Sequence, residues 1–288
     1  MKLYDRTAVV TIRRTEQTDT ERRFFLTLPN VTTIRDLRIQ FAVKKSGGKS
    51  PNTCELQLTN LAPQTRAEVE GKGIVVSIAA GHDGAPRHLF TGDVRVAYSQ
   101  IEDSEWITTI HLAEGGRAFG QARVKPKCYR PGTPVATILK DVAASMGLEL
   151  PREITASPDL RTQFATGYSL EGPSRDELTR LLAPFGYGWS IQNGRLQVLR
   201  DSDVAVGVAR EISEDKGMIG SPKFDTPSKK QTRKLSVPVL LYPELTPGGA
   251  IIVRSASING NFKITELTHQ GDTHDDGPDS WTTNVEAV

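Results

Sequence analysis

Apolar and polar side chains alternate along the first third of the chain. Within Thr53–Leu61, Cys54, Leu56 and Leu58 take turns with Glu55, Gln57 and Thr59. A period of two sends one set of side chains to a buried face and the other to water, which predicts a half-buried strand. The runs TAVVTIRR (7–14), LRIQFAVKK (37–45), GIVVSIAAG (73–81), LFTGDVRVAYS (89–99) and EWITTIHLAE (105–114) are also short and rich in β-branched residues. Glycine, proline and asparagine clusters separate them, so the region predicts an antiparallel sandwich or barrel.

The period changes after KPKCYRPGTP (125–134). Val135, Ile138, Leu139, Val142 and Met146 recur at helical spacing, with Thr133 placed to cap, Pro134 in the first turn and Gly147 at the end. Ser174 and Glu177 have the spacing of a capping box ahead of a second stripe, Leu178, Leu181, Leu182 and Phe185, which Gly186 closes. Tyr187, Trp189 and Ile191 then alternate up to Asn193-Gly194, and Leu196 and Val198 alternate after it. Both turn positions tolerate positive φ, so this stretch predicts a two-residue hairpin. Residues 215–234 read as an exposed basic connector, and strands return at 235–245, 250–258, 262–270 and 280–287.

The expected fold class is mainly β with an α+β insert. Two similar antiparallel, tube-like β-barrel domains flank a small α+β domain. The boundaries are 1–122 for the first barrel, 123–200 for the α+β unit and 201–288 for the second barrel with its basic connector.

The two β regions also match each other in order. Gly73 corresponds to Gly249, Phe90 to Phe262, Asp93 to Glu266 and Val94 to Leu267. Asp103 corresponds to Asp279, Ser104 to Ser280 and Trp106 to Trp281. The second copy has one extra residue between Phe262 and Glu266, which a bulge can absorb. The shared order of glycine, phenylalanine, acid, Asp-Ser and tryptophan favours a duplication. On this alignment the stretch HQGDTHDDGPDSW (269–281) is the counterpart of AYSQIEDSEW (97–106). Both are hairpin connections running into a tryptophan strand. The second is lengthened by Gly271, Asp272, His274, Gly277 and Pro278.

Composition narrows the function classes. The chain has 288 residues and a formal net charge of +2, with 37% hydrophobic residues. Near-neutral charge gives no electrostatic case for a dedicated nucleic-acid binder. Cys54 and Cys128 lie far apart at no zinc spacing and are expected to be reduced. No apolar run approaches the ~20 residues of a membrane span. The start, MKLYDRTAVV, lacks the apolar core of a signal peptide, so folding in a cytoplasm is expected.

Each candidate for chemistry has a plainer reading. His269, Asp272, His274, Asp275 and Asp276 contain metal-ligand types, but the histidines are five apart and no calcium-loop pattern fits; a solvated turn is expected. His82 and His88 flank an Asp83-Gly84 turn. His111 is expected on the strand face opposite Trp106 and Ile110. Glu102, Asp103 and Glu105 cluster in a polar turn, whereas a glycosidase acid needs an apolar pocket and a facing partner. SGGKS (46–50) lacks the leading glycine of a phosphate loop and joins two strands. The basic run at 228–234 has no aromatic interleaving for stacked bases, and the mixed-charge run at 13–23 reads as a projecting arm. No catalytic, cofactor-binding or metal residue is therefore assigned, and no cofactor is expected.

Four stretches together resemble one family. They are FAVKKSGGKSPNTCELQLTNL (41–61), TPVATILKDVAASMGL (133–148), LAPFGYGWSIQNGRLQVL (182–199) and TPGGAIIVRSASINGNFKITELTHQGDT (246–273). The order of these elements resembles the baseplate hub proteins of contractile-tailed phages and related injection machines, the late-control tail proteins among them. The resemblance implies a non-enzymatic structural subunit in a virion tail baseplate, assembled in the host cytoplasm. It implies a homotrimer whose six similar barrels form a pseudo-sixfold ring. Its implied partners are the tail tube or tube-initiator proteins, the central spike and the tape-measure protein, with DNA only in transit through the lumen. The competing class is a cell-wall or glycan hydrolase, or a glycan-binding β module, with acids at 102–105 or 272–279.

Overall fold

The computed structural model describes residues 6–14, 31–150, 154, 157–225, 233–277 and 279–288. The chain opens with β1 (Arg6–Arg14), β2 (Val31–Ile34), β3 (Ile39–Ser46) and β4 (Thr53–Thr59). Helix α1 (Pro63–Val69) precedes β5 (Ile74–His82), β6 (Arg87–Glu102) and β7 (Glu105–Ala113). The insert comprises α2 (Gly116–Gly120), β8 (Arg123–Tyr129), α3 (Val135–Ser145), β9 (Tyr168–Pro173), α4 (Ser174–Leu182), β10 (Tyr187–Gln192) and β11 (Arg195–Arg200). The chain ends with β12 (Arg210–Ser213), β13 (Lys223–Phe224), β14 (Leu235–Leu240), β15 (Ala250–Arg254), β16 (Asn259–Asp272) and β17 (Trp281–Ala287).

The fold is mainly β with a few helices. It divides into two compact units. One comprises Met1–Lys45, Asn52–Glu114 and Gly207–Val288; the other comprises Ser46–Pro51 and Gly115–Val206. In the first unit both β regions belong to one 13-stranded sheet, ordered β13-β14-β17-β16-β3-β4-β7-β6-β5-β1-β2, with β15 on β16 and β12 on β15. The first and last β regions are thus joined edge to edge, β16 beside β3, and the path does not close among the described residues. The alternation seen in sequence is the burial pattern: Cys54, Leu56 and Leu58 are buried, as are Val237, Val239, Val285 and Ala287.

Two apolar cores lie under this sheet. One is built on Val10, Ile12, Phe41, Leu56, Val76 and Ile110, and it also takes in Leu241 and Trp281 from the C-terminal region. The other is built on Ile212, Val237, Ile251, Leu267 and Val285. Trp281 is therefore a C-terminal residue serving the N-terminal core, 2% exposed and edge-on to Phe41 at 5.4 Å between centroids. A side chain of that size, fully enclosed, typically contributes about 3–5 kcal/mol relative to alanine.

The two hairpins share a register. A bulge falls between Val94 and Val96 opposite Leu112 and His111, and another between Ile264 and Glu266 opposite Ala287 and Glu286. Counted from these bulges, Trp106 and Trp281 hold the same position, Trp281 enclosed and Trp106 39% exposed. The phenylalanines do not hold equivalent places: Phe90 pairs with Ile78, five residues past Gly73, and Phe262 with Ile251, two past Gly249. The acidic match does not survive: the bulges put Val96, not Asp93, at the level of Glu266. The first copy has a second local irregularity, between Ile78 and Ala79, and Phe90 as well as Asp93 slips out of the match.

The second unit is the insert. Val135, Ile138, Leu139 and Val142 are fully enclosed against Leu178, Leu181, Leu182 and Trp189. Asn193 and Gly194 have φ of 52° and 74° and close the β10–β11 hairpin. Both expected caps differ. Helix α3 starts one residue later than expected, at Val135, with Pro134 at its N-cap; Thr133 instead gives its hydroxyl to the Arg130 carbonyl at 2.8 Å. Ser174 is the first residue of α4, buried against Ser145 at 2.8 Å, and Glu177 turns to Arg180 at 2.6 Å. In each case an extended proline, Pro134 or Pro173, occupies the N-cap and has no side-chain acceptor to offer the first turn.

The stretch expected as an exposed connector is partly sheet. Phe224 and Lys223 pair with Leu235 and Ser236, and Met218 bridges Val239. The pairing is short, two residues of β13 and one bridge, with Gly220 and Pro222 between them, so it gives no alternating run. The rest of the basic run, 228–232, lies outside the described residues, as do residues 15–23 of the mixed-charge arm.

Candidate functional site

The stretch from His269 to Trp281 is not a loop over its whole length. His269, Gln270, Gly271 and Asp272 are the end of β16, and all but Gln270 are enclosed. His269 is 0% exposed and bonds Thr283 through Nδ1 at 2.8 Å. Burial, and then the charge of Lys45, holds its imidazole well below the ordinary histidine value, so it is neutral. This corrects the expectation of a solvated turn for His269 and Asp272. His274, Asp275 and Asp276 are the exposed part.

Asp272 ties the C-terminal hairpin to the N-terminal region. It accepts from Arg38 Nη2 at 2.7 Å and Nε at 3.2 Å, from Gln40 at 3.0 Å and from the His274 amide at 2.9 Å. Burial pushes its carboxyl up, but these donors together outweigh that and hold it below the ordinary carboxylate value. Thr273 continues the joint: its amide bonds the Ile39 carbonyl at 3.1 Å, and its hydroxyl accepts the Ile39 amide at 3.0 Å. Arg6 closes the loop from the other side, reaching the carbonyls of Asp275 and Gly277 and the Ser280 hydroxyl.

Gly271 permits this approach. The Phe41 ring lies where its side chain would project: a Cβ built there reaches three ring atoms, the farthest at 2.9 Å. Only a residue without a side chain fits. Outside the joint a shallow groove of about 300 Å³ is lined by Gln40, Glu55, Gln57, Asp272, Asp275 and Asp279, among others.

The equivalent hairpin in the N-terminal region has no such cover. Beyond the bulge, β6 and β7 run to a two-residue turn, Asp103-Ser104, with φ of 45° and 77°. Val96, Tyr98, Ile101 and Trp106 are large apolar side chains left exposed on it, at 55%, 43%, 61% and 39%. Trp106 is partly shielded by the Arg66 guanidinium of α1, 3.7 Å from its ring centroid. His111 lies on the outward face near Tyr98, 6.3 Å between ring centroids, as expected.

The remaining candidates do not converge. Glu102 and Glu105 face each other across the turn on an exposed face, with Asn60 donating to Glu105 at 3.1 Å; no apolar pocket surrounds them. His82 ends β5 against Trp281 at 6.5 Å, while His88 bonds Thr91 at 2.9 Å. SGGKS is the β3–β4 turn, held by the Ser46 hydroxyl accepting the Gly48 amide at 3.0 Å. Among the described residues no three metal-ligand side chains come together, and no helix is long and apolar enough to cross a membrane. Arg6, Arg38, Gln40 and Phe41 were not singled out in sequence, since each acts on residues more than 230 positions away. Gly271 gave no local signal either, since it follows the expected strand 262–270 and has the composition of a turn.

No family model and no curated protein sequence matches the chain. Solved structures do match in fold. The 43 kDa tail protein of prophage MuSo2 from Shewanella oneidensis superposes with a TM-score of 0.62 at 9% identity, covering 97% of this chain and 96% of that one. A tail protein from Neisseria meningitidis MC58 gives 0.61 at 11% identity, again with 97% and 96% coverage. An E. coli type VI secretion component, itself described as structurally similar to bacteriophage T4 tail proteins, gives 0.56 at 12% identity over 88% of this chain and 73% of that one. The chain has the fold of phage tail proteins.

Proposed function

We propose that the chain is a structural baseplate hub subunit of a phage or phage-like tail. Three copies form a homotrimeric ring of six similar β regions, pseudo-sixfold on one side and threefold on the other. The ring adapts a hexameric tail tube to a trimeric central spike and leaves a lumen for DNA. Its partners are then tube or tube-initiator proteins, the spike and the tape-measure protein, in a virion tail baseplate assembled in the host cytoplasm. On this reading 1–122 and 201–288 act as the two ring-forming β regions and 123–200 as the unit inserted between them.

The supporting observation is the pair of hairpins in one register on one sheet, within a chain whose fold matches tail proteins over nearly its full length. A ring adaptor gains from two similar β regions per chain, because three chains then offer six similar positions. An enzyme has no such need, and the acids at 102–105 and 272–279 are exposed or tied to Arg38. Light scattering on the purified chain tests the proposal. The expected mass is about three times the 31.5 kDa of one chain, and a strict monomer at high concentration contradicts it.

A further inference from the structure

The joint between β16 and β3 has an equivalent whose two sides both face outward. Past Asp93, the edge of β6 that faces away from β7 pairs with no described strand. In the register fixed by the tryptophans, this free edge corresponds to the part of β16 that lies on β3. Ile101 pairs with Trp106 as Gly271 pairs with Trp281, so Ile101 stands in the place of Gly271. Glu102 then stands in the place of Asp272.

The receiving side can be located in the same way. Leu58 pairs with Thr108 and Val239 with Thr283, so β4 corresponds to β14. Ile39 pairs with Leu58, and Met218 with Val239. The Met218 bridge therefore stands at the level of Ile39, and the stretch from Gly217 to Phe224 takes the place of β3, paired only at Met218 and at β13, with a register slip of two residues between them. It is also the end of the sheet, with its second edge open among the described residues.

We infer that the free edge of β6, anchored by Ile101, seats on the open edge of Gly217–Phe224 of a second copy of this chain, as β16 seats on β3 within the chain. This rests on the proposed ring and names the seam that closes it. The two open edges lie at opposite ends of the run β13-β14-β17-β16-β3-β4-β7-β6, so copies join head to tail, a heterologous contact that repeats until it closes.

The side chains fit this assignment. Inside the chain the bulk is on β3: Phe41 fills the room left by Gly271. Between chains the bulk is exchanged, for Ile101 faces the level of Gly220, Ser221 and Pro222. Ile219 on the receiving strand is exposed, as are Val96, Tyr98 and Ile101 on the donating hairpin. Glu102 brings an acid to a segment that carries Lys223, while Lys216 at its start is already paired with Glu211. An edge carrying exposed apolar side chains is a pairing liability unless a partner covers it.

The test uses the full chain with Cys128→Ser, since Cys128 is a free exposed thiol. Ile101→Cys combined with Ser221→Cys should give covalent multimers under mild oxidation, and either substitution alone should give none. Ile101→Asp, at an exposed position, should keep the wild-type far-ultraviolet circular dichroism yet sediment as a monomer, with a melting temperature that no longer depends on protein concentration. If the wild type is trimeric while Ile101→Asp stays trimeric and the cysteine pair does not cross-link, the seam is wrong and the ring stands. Cross-linking through Ile101→Cys alone marks a face-to-face contact and overturns the seam. A wild type that is monomeric at every concentration overturns both.

Discussion

Replacing Gly271 with alanine adds one methyl group at the most crowded point of the joint. The new Cβ would fall against three atoms of the Phe41 ring, the farthest at 2.9 Å, and real Cβ contacts essentially never come below 3.0 Å. The ring cannot swing away, because Phe41 is 4% exposed and stacked edge-on to Trp281. Either Phe41 leaves its rotamer or β16 lifts from β3 and strains the Asp272–Arg38 bonds. Overpacking of this kind costs about 1–3 kcal/mol. Phe41 and Gly271 also line the groove of about 300 Å³, which offers some relief, so we place it mid-range, about 2 kcal/mol, which corresponds to a fall in melting temperature of roughly 4–8 °C. Phe41→Leu, which shortens the ring side, also destabilises alone, but it vacates the space that the methyl group needs. The double variant should therefore be more stable than the sum of the two, with a coupling of at least about 1 kcal/mol. Thermal melts of the four proteins decide this. A neutral Gly271→Ala, or strict additivity, would refute the reasoning.

Arg38→Ala should cost about 1–2 kcal/mol in a denaturant titration, since it leaves an enclosed carboxylate with Gln40 and one amide; the half-exposed arginine keeps the figure modest. The Asp272 carboxyl is held below its ordinary value, so its stabilisation is complete above about pH 4 and is lost as pH falls through the lower folded value. Asp272→Asn should accordingly narrow the difference in melting temperature between pH 7 and pH 3. For His269 the unfolded chain binds a proton near pH 6.5 that the enclosed ring refuses, so stability falls below that pH by up to about 1.4 kcal/mol per unit. His269→Gln should lose less melting temperature between pH 7.5 and 5.5 than the wild type, and an equal loss would contradict the buried neutral ring. His274→Ala with Asp276→Ala should leave the melting temperature unchanged within about 1 °C, and so should added chelator.

Much of the fold was readable because its signals are local. The two-residue period in Thr53–Thr59 became β4, the helical spacing from Val135 to Met146 became an enclosed face, and Asn193-Gly194 became a tight turn. What could not be read was the long-range edge pairing. Arg38 and Asp272 are 234 positions apart, and nothing in the sequence near either names the other. Hence Gly271 and Asp272 looked like loop residues, although one yields space to Phe41 and the other anchors Arg38. The edge pairing of Met218 and of Lys223–Phe224 was missed for another reason. It is short and interrupted by Gly220 and Pro222, so the composition is that of a connector. The helix caps failed because proline outcompeted serine and threonine for the same sites.

The central claim is the ring. Electron-microscopy class averages of the purified full-length chain test it most directly. The account predicts closed rings of three chains viewed end-on, with six similar lobes around a lumen. Isolated single chains at all concentrations, or closed rings of any other copy number, would contradict it.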